Sequence, residues 1–118
     1  MANTPEQHKI VAEVEVGCAL GTMSIEEGLK RYNENGLQNA GKNLKQYVNA
    51  MRERLLNGTP AYMRCAGTNA KATFALLFEM NNKKYLENFI TALENEMEVK
   101  SNKNVLIEVE RAKAKLNR

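Results

Sequence analysis

Ala61-Tyr62-Met63-Arg64-Cys65-Ala66-Gly67-Thr68-Asn69-Ala70-Lys71-Ala72-Thr73-Phe74-Ala75-Leu76-Leu77-Phe78-Glu79-Met80 is the stretch on which the fold class turns. Residues 61–65 and 71–78 could pair as a β-hairpin around Gly67-Thr68-Asn69, giving an α+β protein with a hairpin at 61–78. Alternatively, Asn69 caps a nearly apolar helix over residues 70–80. Ala70, Ala72 and Ala75 favour the helix, because alanine is the strongest helix former and a poor strand residue. Residues 60–69 are then a connector with apolar members.

The segment before it carries the clearest helical pattern. Leu37, Ala40, Leu44, Tyr47, Val48, Met51 and Leu55 share one face, which predicts a single third helix of five turns. Asn57-Gly58 ends it, and Pro60 prevents continuation. Further upstream, Thr4-Pro5-Glu6-Gln7 is a capping box with proline in the first turn. Ile10, Val11, Val14 and Cys18 follow as one apolar face. Ser24-Ile25-Glu26-Glu27 opens a short second helix through Ile25, Leu29 and Tyr32, and Gly36 closes it in a left-handed conformation.

Downstream, Asn81-Asn82 makes a break. Tyr85, Leu86, Phe89, Ile90, Leu93 and Met97 then form a helical stripe. After the polar turn Ser101-Asn102-Lys103-Asn104, a last helix passes through Val105, Val109, Ala112 and Leu116; its first half could instead pair with residues 96–100 as a hairpin. The expected fold class is therefore all-α: one domain over residues 1–118, a compact bundle of five to six helices.

Composition narrows the function classes. The chain has 118 residues, 43% hydrophobic and 26% charged, the profile of an average globular protein. No run approaches the ~18 apolar residues of a membrane span, and the first residues are polar, so no membrane partner is expected. One histidine and two cysteines are too few for a zinc site in one chain. All fourteen acids are glutamates, whereas magnesium and calcium sites lean on aspartate. Phosphate-cradling glycine loops and nucleophile elbows are absent, and no cofactor is expected. Cys18 and Cys65 read as free, small, buried side chains in a reducing, cytoplasmic compartment. Arg64 would help activate the Cys65 thiol, but His8, the sole imidazole, lies 57 positions away. Among the glutamates, Glu26 and Glu27 belong to a helix start, and Glu94 and Glu96 lie two apart on a predicted helix. Nothing converges on an active site, so a non-enzymatic protein is expected.

The net charge of +3 comes wholly from residues 61–118, and the last eight residues hold Arg111, Lys113, Lys115 and Arg118 without an acid. On the third helix, Gln38, Lys42, Lys45, Asn49 and Arg52 fall in an arc of about 80° beside the apolar stripe. A helix-turn-helix does not account for them. With Gly36 at the turn, Tyr32, Lys42 and Lys45 occupy the positions of a small residue and two buried ones. The reading that fits best is a small accessory or regulatory protein that docks on a protein partner or on itself as a homodimer, using Lys42, Lys45, Asn49 and Arg52. The chain has a general likeness to phage and mobile-element proteins, including inhibitors of host factors, with no motif behind it. The alternatives are a nucleic-acid-binding module using that stripe with the basic C-terminus, and a pocket at a dimer interface for a nucleotide-like ligand, lined by Tyr62, Arg64, Thr68 and Asn69.

Overall fold

In a computed structural model of the chain, residues 3–61, 63, 65–96 and 102–118 are described. The elements over these residues are α1 (Pro5–Leu20), α2 (Ile25–Glu34), α3 (Gln38–Gly41), α4 (Leu44–Arg52), a π-helical turn (Glu53–Asn57), α5 (Gly67–Met80), α6 (Lys83–Asn95) and α7 (Lys103–Leu116). No strand occurs among the described residues. The hairpin alternatives at 61–78 and 96–109 thus give way to helices α5 and α7; residues 62, 64 and 97–101 lie outside the description.

Local chemistry sets most helix ends. The Thr4 hydroxyl accepts from the Gln7 amide at 3.1 Å, and the Gln7 side chain accepts from the Thr4 amide at 2.9 Å. Ser24 Oγ accepts from the Glu27 amide, and Asn82 Oδ1 from the Tyr85 amide. Gly21, Gly36 and Gly58 take the left-handed conformation that closes a helix without a Cβ penalty, and Asn81 does so between α5 and α6. One expected cap is replaced: α5 starts at Gly67, two residues before Asn69, with Ala66 at the cap position and no side-chain hydrogen bond there.

The predicted third helix is not continuous. Its apolar stripe survives, with Leu37, Leu44, Val48, Met51 and Leu55 buried. Its backbone, however, breaks at Lys42-Asn43 and widens into the π-helical turn at Glu53. Gly41 and Asn43 are weak helix formers, so the break costs little. A Cβ on Gly41 would stand 3.0 Å from Leu29, which shows how closely α2 approaches there.

Helix α1 is the centre of the packing, against α5, α4 and α2; α5 also packs on α7 and α6, and α6 on the π-helical turn. For this reason α1 buries Ala12, Val14, Val16, Cys18 and Ala19 around much of its circumference, where a single apolar face was expected. Gly28 lets α2 onto it: a Cβ there would lie 2.8 Å from Val14 Cγ1. Phe74 and Phe89 meet edge-to-face at 5.0 Å in the α5–α6 layer, an arrangement that adds to the area they bury. The radius of gyration is 13.3 Å. A compact chain of this length is expected at about 13.5 Å. No described helix is long and apolar enough to cross a membrane.

Candidate binding site

The basic arc predicted on one helix face is divided by the break at Lys42-Asn43. Gln38 sits on α3, Lys42 at its end, and Lys45, Asn49 and Arg52 on α4. Arg52 and Asn49 are tied to each other, with Nη1 donating to Asn49 Oδ1 at 3.2 Å. Arg52 Nε also donates to the Ala19 carbonyl at 3.4 Å. That places a cation at the C-terminus of α1, whose own last turn has no basic residue. Lys42 and Lys45 remain exposed, and among the described residues neither has a carboxylate within ion-pair distance. They flank a cleft of about 430 Å³ lined by Ile25, Leu29, Gly41 and Leu44, among others.

Three of the four C-terminal cations are engaged internally. Arg111 pairs with Glu108 at 3.1 Å, and Lys113 with Glu94 at 2.9 Å. The hydrogen bond that Lys113 donates to Glu94, with the charges of Glu94 and Glu110, raises the Lys113 pKa. Lys115 Nζ stands 4.3 Å over the Phe78 ring, a cation–π contact, and Arg118 is exposed. Helix α7 packs on α5 and α6, and α4 on α1, so the two basic sets are carried by different helix pairs.

Of the predicted ligand pocket, Tyr62 and Arg64 lie outside the described residues. Thr68 and Asn69 fall in the first turn of α5. Thr68 is exposed and lines a groove of about 380 Å³ between α1 and α5; Asn69 is half-buried and lines no part of it. The other wall comes from Pro5, His8 and Lys9 on α1, none of which was singled out as a ligand-binding residue.

The most elaborate polar arrangement was not foreseen at all. Arg54, in the π-helical turn, and Glu96, the residue after α6, are 4% and 5% exposed. Nε and Nη2 of Arg54 donate to both carboxylate oxygens of Glu96 at 2.7 and 2.8 Å, and Nη2 also donates to the Met63 carbonyl at 2.6 Å. Glu96 in turn accepts from the Ala61 amide at 3.4 Å, so the pair fastens the connector to the helical body. Glu96 can turn inward because it has left the helix, with extended φ and ψ. Burial works against the Arg54 charge, but the hydrogen bonds with Glu96 and the negative charges around it raise its pKa overall.

Two further groups face this pair. Burial lifts the Glu15 carboxyl on α1 to about 7, with Arg54 pulling the other way. Burial likewise pushes the Cys65 thiol up to about 11, with Arg54 pulling the other way, so it is protonated at neutral pH. A faint signal for Arg54 existed. Three residues after Met51, it borders the apolar stripe even in a regular helix. Its partner, 42 residues away, had none. The Arg54–Glu96 pair fixes the connector to the helical body through the Met63 carbonyl and the Ala61 amide.

Comparison with family models, with curated proteins and with solved structures finds no match to this chain.

Proposed function

We propose that this chain is a non-enzymatic docking protein that engages a partner protein through the cleft between α2 and the α3–α4 break. The observation that carries the reading is the seating of Lys42 and Lys45 on one apolar cleft. Arg52, Arg54, Arg111 and Lys113 are held by partners within the fold, whereas Lys42 and Lys45 stand without a carboxylate partner among the described residues. Between them lie the half-buried side chains of Ile25 and Leu29. Two exposed ammonium groups on an apolar cleft suit a segment with alternating acidic and apolar side chains, the helix-in-groove mode of recognition. Their charge speeds encounter, and the apolar floor supplies most of the affinity. An accessory protein of this kind acts by covering its partner's surface, as an inhibitor does.

The test compares the wild type with a Lys42→Glu/Lys45→Glu variant shown by circular dichroism and thermal melting to be folded. Immobilised wild type is expected to retain a defined protein, or a second copy of itself, that the variant loses. Equal retention by both proteins overturns the assignment of the cleft. Both are also titrated with a short DNA duplex at low and physiological salt. Binding that falls by orders of magnitude with salt and vanishes in the variant would replace the docking reading with nucleic-acid binding.

A further inference from the structure

We propose that the groove between α1 and α5 binds a small amphipathic anion, an organic carboxylate with a short hydrocarbon tail. The groove is independent of the Lys42–Lys45 cleft. Its volume is about 380 Å³. That falls at the small end of the range of ligand sites, roughly 300–1,000 Å³. Its floor is the face of α5 carrying Ala72, Ala75 and Leu76, and Pro5 adds an apolar edge from α1. Two alanines in succession on that face make it concave: any larger side chain there would fill the space. The floor is suited to a hydrocarbon tail.

The head group is set by charge. Lys9 from α1 and Lys71 from α5 are both exposed at the groove, and among the described residues neither has a carboxylate within ion-pair distance. His8 forms part of the wall. Its Nδ1 is shut off from water and has no hydrogen-bond partner among the described residues, where it alone of the buried side-chain polar atoms is in that state. A buried polar atom left unpaired forfeits its hydration without compensation, and folded proteins hold few of them. Closed to water, Nδ1 is equally closed to a ligand oxygen in the groove, so His8 contributes its ring to the wall and the two lysines set the charge. Thr68 adds a hydroxyl at the rim, and Glu79 is the one acid of the lining, three residues beyond Leu76 on α5. A carboxylate head beside Lys9 and Lys71 with its tail over Ala72 and Ala75 matches both the charge and the apolar floor, and a neutral or cationic ligand does not.

Decanoate is the probe, with decanol as a neutral ligand bearing the same tail. Both are titrated into the full chain by calorimetry and by amide NMR. Decanoate is expected to bind at one site, with shifts concentrated at residues 5–9 and 68–79. Decanol is expected to bind about tenfold more weakly, since two exposed charge contacts together give roughly that factor. Ala72→Leu/Ala75→Leu, which keeps strong helix formers, should abolish binding, and Lys9→Met/Lys71→Met should remove the preference for decanoate. The lysine pair is on the surface and leaves a reading even where the leucine variant fails to fold. Equal binding of the two ligands, shifts centred elsewhere, undiminished binding to a folded leucine variant, or no saturable shift at millimolar decanoate would each overturn the proposal.

Discussion

Replacing Glu15 with glutamine should make the protein more stable at neutral and alkaline pH and change little in acid. Glu15 lies in the central helix, where burial raises its carboxyl from 4.5 to about 7 although Arg54 is close. In the unfolded chain it titrates at its ordinary value, so between these two values the folded state holds a proton that the unfolded state has lost. Stability then falls as pH rises. The contribution is fully present below 4.5 and is lost through 7. At about 1.4 kcal/mol per unit, the shift corresponds to a loss of about 3 kcal/mol, a large share of the ~5–15 kcal/mol that holds a domain folded. The glutamine side chain keeps the shape of the neutral carboxyl and cannot ionise. The assay is urea unfolding of both proteins at half-unit intervals from pH 4.5 to 8. The gap between them should open by about 1.4 kcal/mol per unit in the middle of the range and level off at about 3 kcal/mol. A gap that is constant with pH, or a wild type that gains stability relative to the variant as pH rises, would refute the desolvation argument.

The same packing has three further consequences. Glu96→Ala leaves the buried Arg54 guanidinium without its carboxylate. It should cost about 3–5 kcal/mol in urea unfolding, whereas Arg54→Met/Glu96→Leu should recover most of that loss. A double variant no more stable than Glu96→Ala would contradict this. In Gly28→Ala the new methyl would stand 2.8 Å from Val14 Cγ1. The substitution should therefore destabilise by about 1–3 kcal/mol although alanine is the better helix former; adding Val14→Ala should give back part of the loss. Cys65 should react with a disulfide reagent at pH 8 far more slowly in the native protein than in urea, since burial holds its thiol at about 11. Fast native labelling at Cys65 would show the connector to be open.

Helix positions, and the way most helices begin and end, follow from the residues alone. Thr4 with Gln7, Ser24, Asn82, Gly36 and Gly58 act within a turn of their own position, and such short-range chemistry works whatever the rest of the chain does. Three alanines on one segment were enough to choose helix over hairpin at residues 67–80. Which charges pair across helices is a different matter, legible only in the packed molecule. Arg52 meets the end of α1, Arg54 meets Glu96 and Lys113 meets Glu94, over separations of 33, 42 and 19 residues. No local pattern encodes these pairs, because each exists only after two helices have docked. The same docking surrounded α1 on several sides, so an apparent one-faced helix became the centre of the core and its Glu15 a largely buried carboxyl. The long predicted helix is broken at Lys42-Asn43, next to the close approach of α2 at Gly41 and at two weak helix formers, Gly41 and Asn43. The grooves and the cations beside them are what remain once that packing is complete, because helix docking decides which side chains from distant segments come within reach of one another.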